Sequence, residues 1–533
     1  MVEKKFNLVD EPWIKVKNKQ GETLEVSLRD VLIHASDYKD LAGETRTQDV
    51  AVGRFLLAFL YTTFGRYNKN GQEIDAEEEV DENVDYFFDL WISIWDEGRF
   101  PENAIEAYLE RVHNRFWLFD EESPFYQSNC VSQRTMVPVA KMIGSLFESN
   151  NKPRLFSARN EDGRILTYAE AARWLLHLNC FDDIAAKKPT PKKTWVSRLG
   201  LIFIKGNNLF ETLMLNYYAV SDTEREIYTC HPSWEADDRE TAEPNRLISP
   251  PGDQAGLLSL LSRRICLHEN NGMVDGFYLT AGDYFDEDDV FQENMTLWRY
   301  DDKNKKEAGY RPQIHLPSRQ IWKEFGAIAQ TAQSEKKHFR APGVINWINK
   351  LVKEQVIGDE MLLNIATATV VYNYGQATSL PVIDLLQDEL SMHAALFKEA
   401  GEAWRGRILT EIGKIEETAK AVRLLSINMQ RAAGDSGDGI SGEEAAVQFF
   451  AAVDEPFRLW LHDLEITFDN EQYALKLAQM IRTIAYTQGN DIAKMQGVNT
   501  LFASNGKMSS AKALNIFIGM LYKIYPDAKE VKK

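Results

Sequence analysis

Hydrophobic positions alternate with polar ones near the start of this chain and recur at helical spacing toward its end. Within residues 6–32, FNLVDEPWIKV, a KNKQGE turn and TLEVSL predict β-structure around a turn. Helical spacing takes over in VAVGRFLLAFLYTTF, for which Asp49 is the expected cap. The acidic segment 70–85 predicts a solvated loop or helix start ahead of the aromatic helix YFFDLWISIWDEG. LTYAEAARWLLHL (166–178) predicts a helix with a capping box, Thr167 as cap and Glu170 three residues on. SRLGLIFIKG (197–206) predicts a strand, and SRRICLHENNGMVDGFYLTAG (262–282) a hairpin turning about Asn270–Gly272. From about residue 381 the pattern turns helical: LPVIDLLQDELSMHAALFKEAGEAWRGRIL is followed by four further amphipathic stretches ending in MSSAKALNIFIGMLYKIY. The fold class expected is α+β: a large mixed N-terminal globular domain, 1–378, followed by a C-terminal four-helix bundle, 379–533.

Composition narrows the function. A chain of 533 residues supports more than one core. Its net charge of −19 argues against a broad surface for naked nucleic acid, since phosphate binding is mostly neutralisation by Lys and Arg. A local basic track on an acidic body remains compatible with that charge. The four Cys, at 130, 180, 230 and 266, have no metal-knuckle spacing, so no zinc or other metal is expected, and their sparsity suits a reducing compartment. The N-terminus has no apolar signal core, and the longest apolar run, FLLAFLYTTF (55–64), is too short to span a bilayer. These features predict a cytoplasmic protein with no membrane partner.

Catalytic signals are weak. GDGISG (437–442) fits GxGxxG in letters, but it follows a helix and carries Asp435 and Asp438, which would repel phosphate. KMSS (507–510) reads as a helix cap at Ser509 or Ser510. No HExxH or GxSxG is present, and the nine His are scattered. No enzyme activity and no cofactor are expected. Basic clusters say more. AAKKPTPKK (185–193) gathers Lys187, Lys188, Lys192 and Lys193 around two Pro, reading equally as a solvated loop or as a phosphate contact. KPRLFSARN (152–160) sets Arg154 and Arg159 around Phe156, a combination suited to stacking on a base while holding phosphates. Arg263 and Arg264 adjoin on a strand, so only one of them can serve a given surface. Arg405, Arg407, Lys414, Lys420, Arg423 and Arg431 form either a basic stripe or ordinary solvated helix faces.

In VVYNYGQATSLP (370–381) an apolar, β-branched run gives way to Asn373, Gly375, Gln376 and Ala377. Turn formers between two structured elements predict a tight exposed loop that presents one long amide.

Taken in order, NLVDEPWIKV, SPFYQ, PVAKMIGSL, LFSARN, LTYAEAARWLLHLNCFDD, LSRRICL and the NYGQA loop resemble the CasA family over nearly the whole chain. CasA is the large subunit of the type I-E CRISPR surveillance complex, Cascade. The resemblance implies a non-catalytic subunit whose partners are double-stranded target DNA, the 5′ handle of the crRNA, the Cascade backbone and small subunits, and a helicase–nuclease effector. It implies that Asn373, Gly375, Gln376 and Ala377 form the loop below the protospacer-adjacent motif (PAM), with Gln376 as a wedge, and that Phe156 meets the guide's 5′ end beside Arg154 and Arg159. The alternative is a scaffold subunit that docks partner proteins without reading DNA. Two departures stand out. A glycine-rich loop of the family is replaced here by FDDIAAKKPTPKK, which places Lys187 and Lys188 where close backbone approach is expected. With that loop replaced, motif preference does not carry over, and the central cysteine cluster of a family member is also missing here.

Overall fold

The computed structural model describes residues 4–128, 131, 134–145, 164–184, 193–219, 230–237, 243–301, 308–315, 320–329, 339–373, 380–435, 439–495, 500 and 508–528. The fold is α+β with a C-terminal helical region, as expected. The chain divides into two compact units, one of Met1–Pro317, Lys336–Lys350 and Asn364–Glu389, the other of Ser318–Glu335, Leu351–Leu363 and Leu390–Lys533. The expected boundary at 378/379 thus falls inside a stretch of the first unit, and the second unit draws two short pieces from before it.

In the first unit, Ile14–Asn18 is the central strand between Thr23–Val26 and Tyr38–Leu41, with Val16 opposite both Leu24 and Leu41. The helix Arg46–Phe64 is buried on almost every side. Its cap is Thr45, whose hydroxyl accepts from the Gln48 N–H, and not Asp49. Arg46, Thr47 and Gln48 are all compatible with helix, so the helix starts earlier than its apolar run. Asp49 instead lies in the first turn, where its carboxylate accepts from the Gly43 N–H at 2.7 Å and pairs with Arg46 at 3.1 Å. Phe55 on this helix meets the rings of Trp13, Phe116, Phe125, Tyr126 and Trp234, with centroids 5.6 to 6.2 Å away. Such offset and edge contacts add to the burial of the rings themselves. Beside them Arg54 forms a fully buried pair with Glu293 at 2.9 Å, and Trp195 Nε1 donates to the same carboxylate.

The helix Tyr168–Phe181 carries the capping box read from its sequence, Thr167 with Glu170. Arg173, 1% exposed, ties it to the N-terminal sheet by donating to the Trp13 carbonyl at 2.7 Å, Glu25 at 2.8 Å and Glu44 at 2.7 Å. Burial alone would raise the Glu44 carboxyl, but the hydrogen bonds and charge of Arg173, with help from Lys15, bring it down to about 2. The hairpin of Arg263–Asn270 and Met273–Ala281 turns through Asn271 and Gly272, both at positive φ (53° and 83°). That is the conformation a two-residue Asn-Gly turn requires.

Two helix and strand expectations change. Within SRLGLIFIKG only Phe203–Lys205 is a strand. Val382–His393, read as helix, is a strand beside Leu362–Tyr372, which in turn pairs with Phe203–Lys205. Leu and Glu favour helix locally, but the β-branched run of Leu362–Tyr372 supplies a ladder that the neighbouring segment completes.

In the second unit four helices, Glu402–Ala433, Ile440–His462, Asn470–Lys494 and Ser510–Ile524, form the bundle, the first packing on the other three. Ser509 caps the last one, so KMSS is a helix start. Four of the six residues of the basic stripe are held internally, while Lys420 and Arg431 are exposed. Arg407 and Lys414 both hold the buried Glu411, at 3.0 and 2.8 Å, Arg423 pairs with Glu443, and Arg405 donates to the Leu396 and Lys398 carbonyls.

Replacing Arg54 by Leu leaves the buried Glu293 charge without its partner. The expected loss is about 3–5 kcal/mol, against less than about 1 kcal/mol for Lys19→Ala at the exposed Lys19–Asp37 pair. Thermal unfolding of the two variants checks the contrast.

Candidate nucleic-acid interface

Of the residues singled out in the sequence, Arg154, Phe156, Arg159, Lys187, Lys188, Lys192, Gly375, Gln376 and Ala377 lie outside the described residues. Asn373 and Lys193 lie within them, as do the roots of all three segments.

The roots of the basic segment and of the amide loop meet. Tyr372, the last strand residue before Asn373, is buried and donates its hydroxyl to the Asp182 carbonyl at 3.0 Å. Asp182 ends the helix Tyr168–Phe181 and leads into the basic segment. Its carboxylate, 0% exposed, accepts from Arg263 Nε at 2.6 Å and from the Ile184 N–H at 2.8 Å. Asn179, one turn earlier, accepts from the Arg263 backbone N–H. At the far end of the basic segment, Lys193 Nζ sits 5.2 Å from the Tyr372 ring centroid, a cation–π contact. The next residues are fastened as well, with the Trp195 N–H donating to Ser262 Oγ. The Asn373 N–H donates to the Pro381 carbonyl at 2.9 Å, closing the base of the amide loop. One phenol therefore touches both ends of the segment 185–192 and forms one foot of the segment 374–379.

The electrostatics of this knot follow from burial. Burial pushes the Tyr372 phenol far above its usual range, so it remains a donor. Burial, with nearby Arg198, brings the Lys193 ammonium down to about 8 against a weaker opposing pull from Glu287. Lys193 was expected with Lys187, Lys188 and Lys192 in an exposed, DNA-contacting basic segment; it is 7% exposed and packs on Tyr372. Arg263 and Arg264 differ from expectation too. Both are buried, at 2% and 1% exposed, so neither faces solvent, and Arg263 belongs to the scaffold.

The two flanks of the third segment, 146–163, lie at different places along the same helix. Leu166, two residues before the helix, exchanges backbone hydrogen bonds with Val274. Gly144, on the other side of the segment 146–163, lies so close to His177 that a Cβ would come within 2.3 Å of its ring. His177 is packed, as expected, and contacts Thr47 Oγ1 at 3.0 Å. Leu166 thus lies just before the N-terminal end of the 14-residue helix, while Gly144 packs against His177, about one turn from its C-terminal end. Tyr372, Asp182 and Arg263 were not singled out as a group from the sequence. The acidic pair in NCFDD following a largely buried helix was the available signal.

Among the described residues no cluster of three or more His, Cys, Asp or Glu is arranged to hold a metal, and no helix is long and apolar enough to cross a membrane. The thiol of Cys180 is pushed up to about 12 by burial, which makes it a poor nucleophile.

A family model described as CRISPR-associated protein Cse1 matches residues 7–487. A CRISPR-associated protein CasA/Cse1 of Thermus thermophilus is 33% identical over 221 residues, which is 40% of this chain and 39% of that protein, so the match spans about two fifths of the relative's length. The crystal structure of Thermobifida fusca Cse1 superposes with a TM-score of 0.82 at 25% identity, covering 98% of this chain and 99% of that one. A chain of a CRISPR RNA-guided surveillance complex has the same fold, with a TM-score of 0.67 at 16% identity over 98% of this chain and 99% of that one.

Two outcomes are expected of the knot. Tyr372→Phe removes the hydrogen bond to the Asp182 carbonyl, costing about 0.5–1.5 kcal/mol locally. Hydrogen exchange should rise at residues 182–184 and 371–373 and stay unchanged in the helix Arg46–Phe64. In isotopically methylated protein the Lys193 resonance should titrate near pH 8, and Lys193→Met should remove that resonance. Between about 8 and 10.5 the unfolded chain binds more protons than the fold, so this group makes stability rise with pH through that window.

Proposed function

The chain belongs to the CRISPR-associated Cse1 family, and from that premise we propose that it is the large, non-catalytic subunit of an RNA-guided surveillance complex that recognises a PAM on duplex DNA and starts its opening. The shared root of the basic segment and the amide loop carries this reading: Tyr372 bonds Asp182 and underlies Lys193. The residues flanking two segments of complementary chemistry, cationic and amide-bearing, meet in one buried knot.

Their roles follow from physical chemistry. Lys187, Lys188 and Lys192 hold backbone phosphates and set register without reading sequence. Gln376 offers both a donor and an acceptor, and Gly375 beside it allows close approach of the backbone to a groove. Minor-groove readout mostly separates A·T from G·C, so the motif is read permissively. Inserting the Gln376 side chain into the stack costs a few kcal/mol per disrupted step, about what groove-binding wedges expend. Pairing of the guide with the opened strand offsets that cost in a near-balanced exchange. Phe156, with Arg154 and Arg159, holds the 5′ end of the guide. The net charge of −19 keeps the free chain off bulk DNA. The complex then recruits a helicase–nuclease in antiviral defence.

In the assembled complex, Gln376→Ala should leave duplex docking at the motif largely intact and reduce permanganate reactivity of the adjacent base pairs severalfold. Unchanged reactivity would remove the wedge and favour a scaffold that touches no DNA. Replacing Lys187, Lys188 and Lys192 by Gln should weaken target binding for all sequences alike and lower the slope of log K against log salt by about 2 to 3.

A further inference from the structure

The strands Trp298–Asp301, Gly309–Pro312 and Phe339–Arg340 form a small antiparallel sheet in the first unit, with Trp298–Asp301 in the centre. Its back is an aromatic layer. Phe291 meets the rings of Trp298 and Tyr310 at 5.3 and 5.6 Å, Tyr300 meets Tyr310 at 5.2 Å, and the Arg340 guanidinium lies 4.0 Å from the Phe291 ring centroid. Strand alternation sends Arg299 to the opposite face. The register sets Arg299 directly across from Arg311 on one side and from Phe339 on the other, so the three side chains form one row. Neighbours in such a row stand about 5 Å apart at Cβ.

Two like charges placed directly opposite each other destabilise a strand pair, and an anion relieves them. Arg311 has one. Asp288 takes its Nε at 2.6 Å and a terminal nitrogen at 3.4 Å, and Asp301 lies 3.9 Å from the same guanidinium. Arg299, in the middle of the row, is exposed and makes no ion pair or hydrogen bond among the described residues. Phe339 beside it is 38% exposed, whereas the rings on the back of the sheet pack against one another. The local sequence runs against the acidity of the chain. Residues 299–311 and 336–340 hold eight Lys and Arg against three Asp and Glu, in a chain with 61 against 80.

We propose that this row binds a single strand of DNA, with one base stacked on Phe339 and an adjoining phosphate on Arg299. A phenyl ring can stack on any base, and a guanidinium fork beside it matches the oxygens of a phosphate. A duplex keeps its base faces inside the stack, so an exposed ring on a sheet selects the unpaired strand. One ring between charged neighbours is too small a patch for an apolar partner. That the strand is DNA rests on the proposed opening of a duplex, which leaves one DNA strand unpaired. The row itself shares no residue with the basic segment or the amide loop.

Photo-crosslinking of the purified full-length chain tests this, with a short oligo(dT) that carries one 5-iododeoxyuridine and is titrated at low salt. Mass spectrometry of the crosslinked peptides reads the result position by position, so binding elsewhere on the chain does not enter it. A saturable crosslink at Phe339 is expected, at least about fivefold tighter than for the same strand in a duplex, as one stacked base provides. Phe339→Leu should remove that crosslink. Arg299→Gln should weaken it and lower its slope of log K against log salt by about 0.7, the value for one phosphate of a single strand. Both positions are exposed, and circular dichroism verifies that the variants fold. No guide, motif or partner subunit takes part, so failure here is separate from failure of the amide wedge. Absence of a saturable crosslink at Phe339 up to about 100 μM strand, equal capture of the duplex, tighter capture of the matching RNA strand, or a crosslink that Arg299→Gln leaves unchanged overturns the proposal.

Discussion

A phenol donating to the carbonyl of a buried aspartate is the interaction on which the rest of this account depends. Tyr372 and Asp182 are 190 positions apart in the chain, yet their hydrogen bond joins the foot of the amide loop to the foot of the basic segment. Asp182 cannot be placed there without an opposing charge, since an isolated buried carboxylate would be prohibitively costly. Arg263 supplies it at 2.6 Å, and the Ile184 N–H fills another lone pair. The knot is thus satisfied at each of its polar contacts, the condition under which a buried polar cluster fixes a single arrangement.

The helix Tyr168–Phe181 extends that constraint across the first unit. Arg173 ties its middle to the N-terminal sheet through Glu25 and Glu44, and Asp182 ties its end to the hairpin through Arg263. The adjacent arginines of the hairpin divide their labour by strand alternation. Arg263 holds Asp182, and Arg264 holds Asp283.

Much of this fold was legible in the sequence where local and tertiary preferences agree. The capping box at Thr167 and Glu170, the Asn-Gly hairpin and the cap at Ser509 each depend on a few adjacent residues, and each is present. Val382–His393 was misread because its Leu, Gln and Glu content is helical, whereas its partner strand comes from the preceding segment. Asp49 was misread as a cap because the apolar run begins after it, although the helix does not. The burial of Lys193 and Arg264 was hidden for a similar reason: charge alone suggests solvent, and only the fold shows an aromatic face or a carboxylate waiting for it. The order of short motifs carried the family, while the residues that root the loops became evident only in three dimensions.

The central claim is that the segments 185–192 and 374–379 act as one DNA-contacting site. Photo-crosslinking tests it most directly, with a benzophenone side chain placed at position 188 or at position 376 of the assembled complex bound to a target duplex. The account predicts that both positions crosslink to nucleotides within the same few base pairs around the motif. Crosslinks from the two positions to well-separated stretches of DNA, or to protein partners alone, would contradict it.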